Sequence, residues 1–288
     1  MGFGTVLTAM VTPFDTEGNI DFDVTTVLIE DLLANGTEGL VVAGTTGESP
    51  TLLDEEKIAL FKHVIEVVNK RVPVIAGTGN NNTAASITLT KEAEVLGADA
   101  IMLVTPYYNR PDQQGLYMHF STIAEATTLP VMLYNIPGRS VVNMDAETTI
   151  RLSKIDNIVS VKEASGDLDQ VSRIIEHTSD DFSVYSGDDS TTLPIIAIGG
   201  NGVVSVASHV IGNEMSDIVR LYMDGQNKEA AALHRKVLPI IKGLFKTPSP
   251  APVKAALKLK GIDVGHVRLP LVDLSTEERA TLKDLLHY

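Results

Sequence analysis

The sequence predicts an α/β chain folded as a closed (β/α)8 barrel with a small C-terminal helical domain. Three observations lead there. Short aliphatic and β-branched runs begin at Val6, Leu40, Val72, Ala100, Pro130, Asn157, Ser183 and Gly202. Those starts are 34, 32, 28, 30, 27, 26 and 19 residues apart, near the length of one strand plus one helix. The stretches between the runs read as amphipathic helices. Continuous apolar strands alternating with helices imply a parallel sheet covered on both faces, and eight such units close into a barrel.

In chain order, VLTAMVTP from Val6 stops at Thr12 and Pro13. LVVAGTTG from Leu40 runs into the turn Gly44-Thr45-Thr46-Gly47. The following stretch from Asp54 is expected to turn Ile58, Phe61, Ile65 and Val68 inward on one helical face. VPVIAGTG from Val72 ends in the tight turn Gly77 to Asn82. AIMLVTPYY, PVMLYNIPG and NIVSVKEASG bring Tyr107 and Tyr108, Tyr134 and Asn135, and Lys162 to their C-terminal ends. SVYSGDD ends at Gly187 and Asp188, and GVVSVAS closes the set near Ser205. The barrel is expected to occupy residues 1–224. Residues 225–288 read as three helices, the first two separated around Pro248, Pro250 and Pro252.

The bulk chemistry excludes several functions. The chain has 288 residues and a formal charge of −14, which is wrong for neutralising phosphates or docking on anionic lipid. Nucleic-acid and membrane partners are therefore not expected. No apolar run is long enough to span a bilayer, and the start lacks the basic residues and small-residue cleavage site of a signal peptide. Cysteine is absent, so no disulfide, thiolate nucleophile or thiolate metal site is expected. The seven histidines, His63 to His287, are scattered without metal-ligand spacing. The simplest compartment is the cytoplasm.

Barrel enzymes place their chemistry at the C-terminal ends of the strands. Of the 14 lysines, Lys162 alone closes an apolar strand-like run. Burial there disfavours the ammonium form, and a neutral amine attacks carbonyls to form a Schiff base. The rival reading is a lysine that snorkels to solvent or pairs with Glu163. Tyr108, Tyr134 and Thr46 fall at neighbouring strand ends, where hydroxyls can relay protons to and from a Schiff base. For each tyrosine alone, rim packing is the competing account. The hydroxyls and N–H groups of the Gly44–Gly47 turn suit a small carboxylate. No Gly-Lys-Ser/Thr follows, so the turn is not a P-loop. Arg139 lies just past the fifth strand and can clamp a second carboxylate, unless it is a plain surface arginine.

The motifs GTTGESPTL, AGTGNN, TPYYNRP, YNIPGR, VKEASGD and YSGDD, in this order, resemble the dihydrodipicolinate synthase family of pyruvate-dependent aldolases. The resemblance runs from Pro13 to Arg268 and implies a TIM barrel. It also implies condensation of pyruvate with aspartate 4-semialdehyde on the route to diaminopimelate and lysine, with no cofactor and no metal. By motif, Lys162 would form the Schiff base with pyruvate. Thr46, Tyr108 and Tyr134 would relay protons, with Tyr108 supplied by a neighbouring subunit. Thr45 would help bind carboxylate, and Arg139 would bind the semialdehyde carboxylate. Gly187 and Val204 would shape the pyruvate pocket. A homotetramer, a pair of tight dimers, is the implied assembly. A sister aldolase cleaving N-acetylneuraminate or a 2-keto-3-deoxy sugar acid would share Thr46, Tyr134 and Lys162, with Arg139 discriminating. A non-catalytic barrel that senses a keto acid is the remaining alternative.

The resemblance bears on feedback too. Lysine-inhibited members bind lysine near the Tyr107 side of the site, using histidines after GTTGES and a glutamate past the asparagine matching Asn81. Here those positions hold Asp54, Lys57 and Ala85, while Ser49, Asn81 and Tyr107 remain. Weak inhibition by lysine is the expectation.

Overall fold

The structure, a computed structural model, describes residues 2–286. His287 and Tyr288, expected at the end of the last helix, lie outside the described residues. Eight strands form the barrel: β1 (Val6–Ala9), β2 (Gly39–Val42), β3 (Val74–Gly77), β4 (Ala100–Val104), β5 (Val131–Asn135), β6 (Ile158–Glu163), β7 (Ser183–Ser186) and β8 (Gly202–Ser205). Each pairs in parallel with the next, and β8 returns to β1, closing the barrel. Each of the eight predicted runs overlaps one strand, with β2 starting one residue early at Gly39.

The strands are shorter than the runs because the chain leaves the ladder where its chemistry demands. After β2, Ala43 turns to a left-handed φ of 52°, so Thr45 and Thr46 lie in a turn beyond the strand. After β4, Pro106 has no N–H to donate. Tyr108 lies beyond it in a loop, at a φ of 72°. Thr46 and Tyr108 are therefore not strand ends as expected, whereas Tyr134 and Lys162 are within their strands.

The helices that cover the barrel include α1 (Phe22–Ala34), α2 (Asp54–Val68), α3 (Thr83–Leu96), α4 (Gln113–Ala124), α5 (Pro137–Ser140), α6 (Ala146–Leu152), α7 (Leu168–His177), α8 (Thr192–Ala197) and α9 (Ser208–Met223). In α2 the buried face differs from the expected one. Leu60, Phe61, Val64 and Val68 are buried, while Ile58 and Ile65 are only half-buried. The apolar arc of this helix is wider than its contact, so the 3.6-residue period alone does not fix which edge turns inward. Beyond the barrel lie α10 (Asn227–Leu244), α11 (Ala251–Lys260) and α12 (Thr276–Leu286). Pro252 does not separate α10 from α11 as expected; it sits in the first turn of α11, where its missing N–H costs nothing.

Alternation along each strand divides the apolar side chains into two layers. Val6, Leu40, Val74 and Ile101 face the helices in the larger core. Leu7, Val41, Met102, Met132, Tyr185 and Val204 fill the barrel interior. Among the described residues no helix is long and apolar enough to cross a membrane.

Candidate active site

Lys162 and Glu163 are neighbours on β6 and therefore point to opposite faces. Lys162 enters the barrel and is 5% exposed. Glu163 points outward and accepts hydrogen bonds from Asn135, Ser165 and Gln170. The expected pairing of Lys162 with Glu163 does not form, because strand alternation forbids it. The Lys162 side chain has no hydrogen bond or ion pair among the described residues. Its Nζ stands 4.1 Å from the Tyr134 ring centroid. Burial pushes the ammonium down to about 7; the Asp189 carboxylate opposes the shift and the Arg139 guanidinium adds to it. Near neutral pH a substantial fraction of Lys162 is thus the free amine.

Tyr134 pairs with Lys162 across β5 and β6, and Tyr185 flanks Lys162 on β7. Burial lifts the Tyr134 phenol to about 12, against the pull of Arg139 and of a hydrogen bond from Thr45. It therefore holds its proton at neutral pH, as a donor. Gly187 follows β7, and a Cβ there would come within 2.7 Å of the Ala164 Cβ and 3.2 Å of the Lys162 Cγ. A side chain at this position would crowd the lysine stem. Asp189 is buried nearby, accepting from the backbone N–H groups of Val206 and Ala207 at 3.0 and 3.1 Å and from the Ser205 hydroxyl. Val204 lines the barrel interior from β8.

A cavity of about 270 Å³ opens at the C-terminal ends of β2 to β5, lined by Gly44, Thr45, Tyr107, Tyr134 and Arg139 among others. Its floor is tight: a Cβ on Gly79 would fall 2.4 Å from the Val104 nitrogen. This is why the AGTGNN turn needs its glycine. Arg139 is exposed in the last turn of α5 and has no carboxylate partner among the described residues. Lys162 does not line the cavity; it adjoins it through the Tyr134 ring.

Thr45, Tyr134, Arg139, Lys162 and Gly187 are thus brought together. Thr46 is not, being buried in the turn and outside the cavity. Thr45, by contrast, lines the cavity together with Tyr134. Tyr108 is 91% exposed and reaches no other site residue in its own chain. Sequence reasoning set Tyr107 beside the site without making it a wall of the cavity, and missed Asp189 as the carboxylate that most opposes the shift of Lys162. The double aspartate of YSGDD was the available signal for the second. Among the described residues no group of three or more His, Asp or Glu is arranged to hold a metal ion.

Comparison with known proteins adds a family to this geometry. The family described as "Dihydrodipicolinate synthetase family" matches residues 2–288. The chain is 62% identical to 4-hydroxy-tetrahydrodipicolinate synthase 1 of Halalkalibacterium halodurans, covering 98% of this chain and 96% of that one. It is 61% identical to the 4-hydroxy-tetrahydrodipicolinate synthase of Bacillus subtilis, over 99% of each. Among solved structures, a dihydrodipicolinate synthase from Bacillus anthracis superposes with a TM-score of 0.98 at 58% identity, covering 100% of this chain and 98% of that one. The enzyme from Cyanidioschyzon merolae, solved with lysine bound, gives 0.97 at 47% identity, covering 99% and 97%.

Proposed function

The chain belongs to the dihydrodipicolinate synthetase family, and from that premise we propose how its residues divide the work of the reaction. The enzyme condenses pyruvate with L-aspartate 4-semialdehyde to 4-hydroxy-tetrahydrodipicolinate, in lysine and diaminopimelate biosynthesis. The observation that carries the assignment is Lys162 itself: inward, desolvated, unpaired and set against Tyr134.

In the proposed sequence the neutral Lys162 amine attacks the keto carbon of pyruvate. The carbinolamine hydroxyl takes a proton and leaves as water, giving the Schiff base. Loss of a methyl proton gives the enamine, whose carbon attacks the semialdehyde carbonyl and forms the new C–C bond. The semialdehyde's own amine then displaces Lys162, closing the ring and freeing the enzyme. Tyr134 supplies and recovers the protons at its phenol oxygen. Thr45, rather than Thr46, takes the relay position beside it, because of the two only Thr45 lines the cavity with Tyr134. Gly187 and Val204 leave room for pyruvate around the lysine, and Arg139 offers a free guanidinium to the semialdehyde carboxylate. The near-complete exposure of Tyr108 supports its completing the relay of a neighbouring subunit in a homotetramer. The cytoplasm is the proposed compartment.

A coupled assay tests the reading. Product should form only with both substrates present, and neither N-acetylneuraminate nor a 2-keto-3-deoxy sugar acid should be cleaved at a comparable rate. Arg139→Ala should raise KM for the semialdehyde by about tenfold while leaving KM for pyruvate nearly unchanged. An equal rise in both would show that Arg139 is not the semialdehyde clamp.

A further inference from the structure

On the reading that Lys162 is the nucleophile, we propose that Asn135, Glu163 and Gln170 form a positioning clamp on the outer face of β5 and β6 that fixes Tyr134 beside Lys162 on the inner face. Backbone hydrogen bonds between parallel strands look alike in every register, so side chains must choose among them. Between β5 and β6 the choice is made late. Val131 pairs with Ile158 but Met132 pairs with Ser160, so the ladder passes over Val159. The register at the barrel mouth is therefore not inherited from the strand start.

Above the irregularity, Tyr134 opposes Lys162 and Asn135 opposes Glu163. The second pair is locked side chain to side chain. The Asn135 amide donates to both carboxylate oxygens of Glu163, at 3.1 and 3.3 Å. Glu163 also accepts from the Ser165 N–H at 2.6 Å and from the Gln170 amide at 3.1 Å. A slip of one residue would turn Glu163 into the barrel and Lys162 out of it. Asn135 and Glu163 are almost wholly buried and Gln170 is half-buried, and burial raises the Glu163 pKa. Apolar residues would fill the same space without desolvating a carboxylate, so stability alone is a poor reason for the network.

The same residues hold the segment that carries Arg139. Asn135 donates to the Asn143 side chain at 2.8 Å and accepts from the Met144 N–H at 3.0 Å. The Asn143 amide in turn donates to Gln170 at 2.8 Å. The loop from Ile136 to Asn143 is thereby tied at both ends to the clamp. Tyr134, Arg139 and Lys162 owe their relative placement to one network, buried at Asn135 and Glu163 and reaching the surface at Asn143.

The groups around Lys162 are Tyr134 on β5, Tyr185 on β7, Asp188 and Asp189 beyond β7, and Arg139 beyond β5. None is altered in Asn135→Leu or Gln170→Leu. The rate of pyruvate and borohydride labelling at Lys162 is measured against pH in both, with circular dichroism as the check on folding. Asn135→Leu should slow labelling at neutral pH by about tenfold and Gln170→Leu by about threefold. In both, the acidic limb should move up by about half a pH unit or more as water reaches the amine. Loss of folded protein alone would lower the amplitude without moving that limb. A wild-type limb and rate in folded Gln170→Leu overturn the clamp, whether or not Asn135→Leu folds. Labelling of wild type on a different lysine would overturn the nucleophile assignment instead, so the two failures are distinguishable.

Discussion

Two buried lysines, one at the barrel mouth and one at the seam with the C-terminal helices, show what separates a reactive amine from a structural one. Lys162 and Lys254 are 5% and 3% exposed. Each Nζ stands over an aromatic ring, Tyr134 at 4.1 Å and Phe14 at 4.2 Å. Burial lowers the pKa of both. The difference lies in their partners. Lys254 meets the buried Glu48 carboxylate at 2.7 Å and donates to the His266 carbonyl at 2.9 Å. Lys162 has neither kind of partner among the described residues. A carboxylate at contact opposes the loss of the proton that burial favours and binds two parts of the chain together; without one, burial dominates. Desolvation is shared by both lysines, so on the proposed reading it is the missing partner that prepares Lys162 for attack on a carbonyl.

The contrast can be broken at its reactive end first. Lys162→Met should lower condensation by about 10⁴-fold or more while the protein folds. It should also stabilise the protein near pH 7, by on the order of 2 kcal/mol, because a costly buried amine is removed. The sign follows from linkage. The folded pKa, about 7, lies below the ordinary 10.5, so between these values the unfolded chain binds the extra proton. Stability attributable to Lys162 therefore rises with pH across that window, and Lys162→Met should remove this part of the slope. Chemical denaturation at several pH values checks it. Tyr134→Phe keeps the ring under the amine and removes only the hydroxyl. Turnover should fall by about 10²–10⁴-fold with folding intact, and near-normal kcat would remove Tyr134 from the relay.

At the structural end, Lys254→Met should do the reverse. It strands Glu48 without its cation and should cost about 3–5 kcal/mol of stability. The acidic limb of activity in the remaining folded protein should stay where it is in the wild type. A moved limb would mean that Lys254 acts on the chemistry and that the two lysines are less distinct than their partners imply. The smallest effect concerns lysine as a ligand. The Lys57 Nζ is 3.2 Å from Asp54, so its charge is partly answered within α2. Ala85 still offers no carboxylate to a bound ammonium. A lost charge-assisted contact weakens binding by about 10- to 100-fold, so millimolar lysine should leave turnover nearly unchanged at sub-saturating pyruvate. Half-inhibition below about 1 mM would contradict this.

The barrel was legible because its signal is repeated: eight apolar runs at near-regular spacing leave few alternatives. What escaped was local. Strand ends at Ala43 and Pro106 depend on backbone conformation and a missing donor, and these moved Thr46 and Tyr108 off the strands. The inward edge of α2 depends on packing against its neighbours, which the helical period does not encode. The site was legible where one residue is chemically out of place, as Lys162 is in an apolar run. It was not where the answer depends on direction. Glu163 next to Lys162 reads as its partner until strand alternation sends it outward. Thr45 and Thr46 are equivalent letters until the turn places one of them on the cavity wall and buries the other outside it.

The most direct measurement is chemical trapping with all 14 lysines in competition. The protein is incubated with pyruvate near neutral pH, reduced with borohydride, digested and mapped by mass spectrometry. One pyruvate-derived adduct per chain on Lys162, with Lys254 unmodified and labelling abolished in Lys162→Met, is the predicted result. An adduct on Lys254 or any other lysine, or undiminished labelling in Lys162→Met, would contradict the claim that the unpartnered lysine of β6 is the nucleophile.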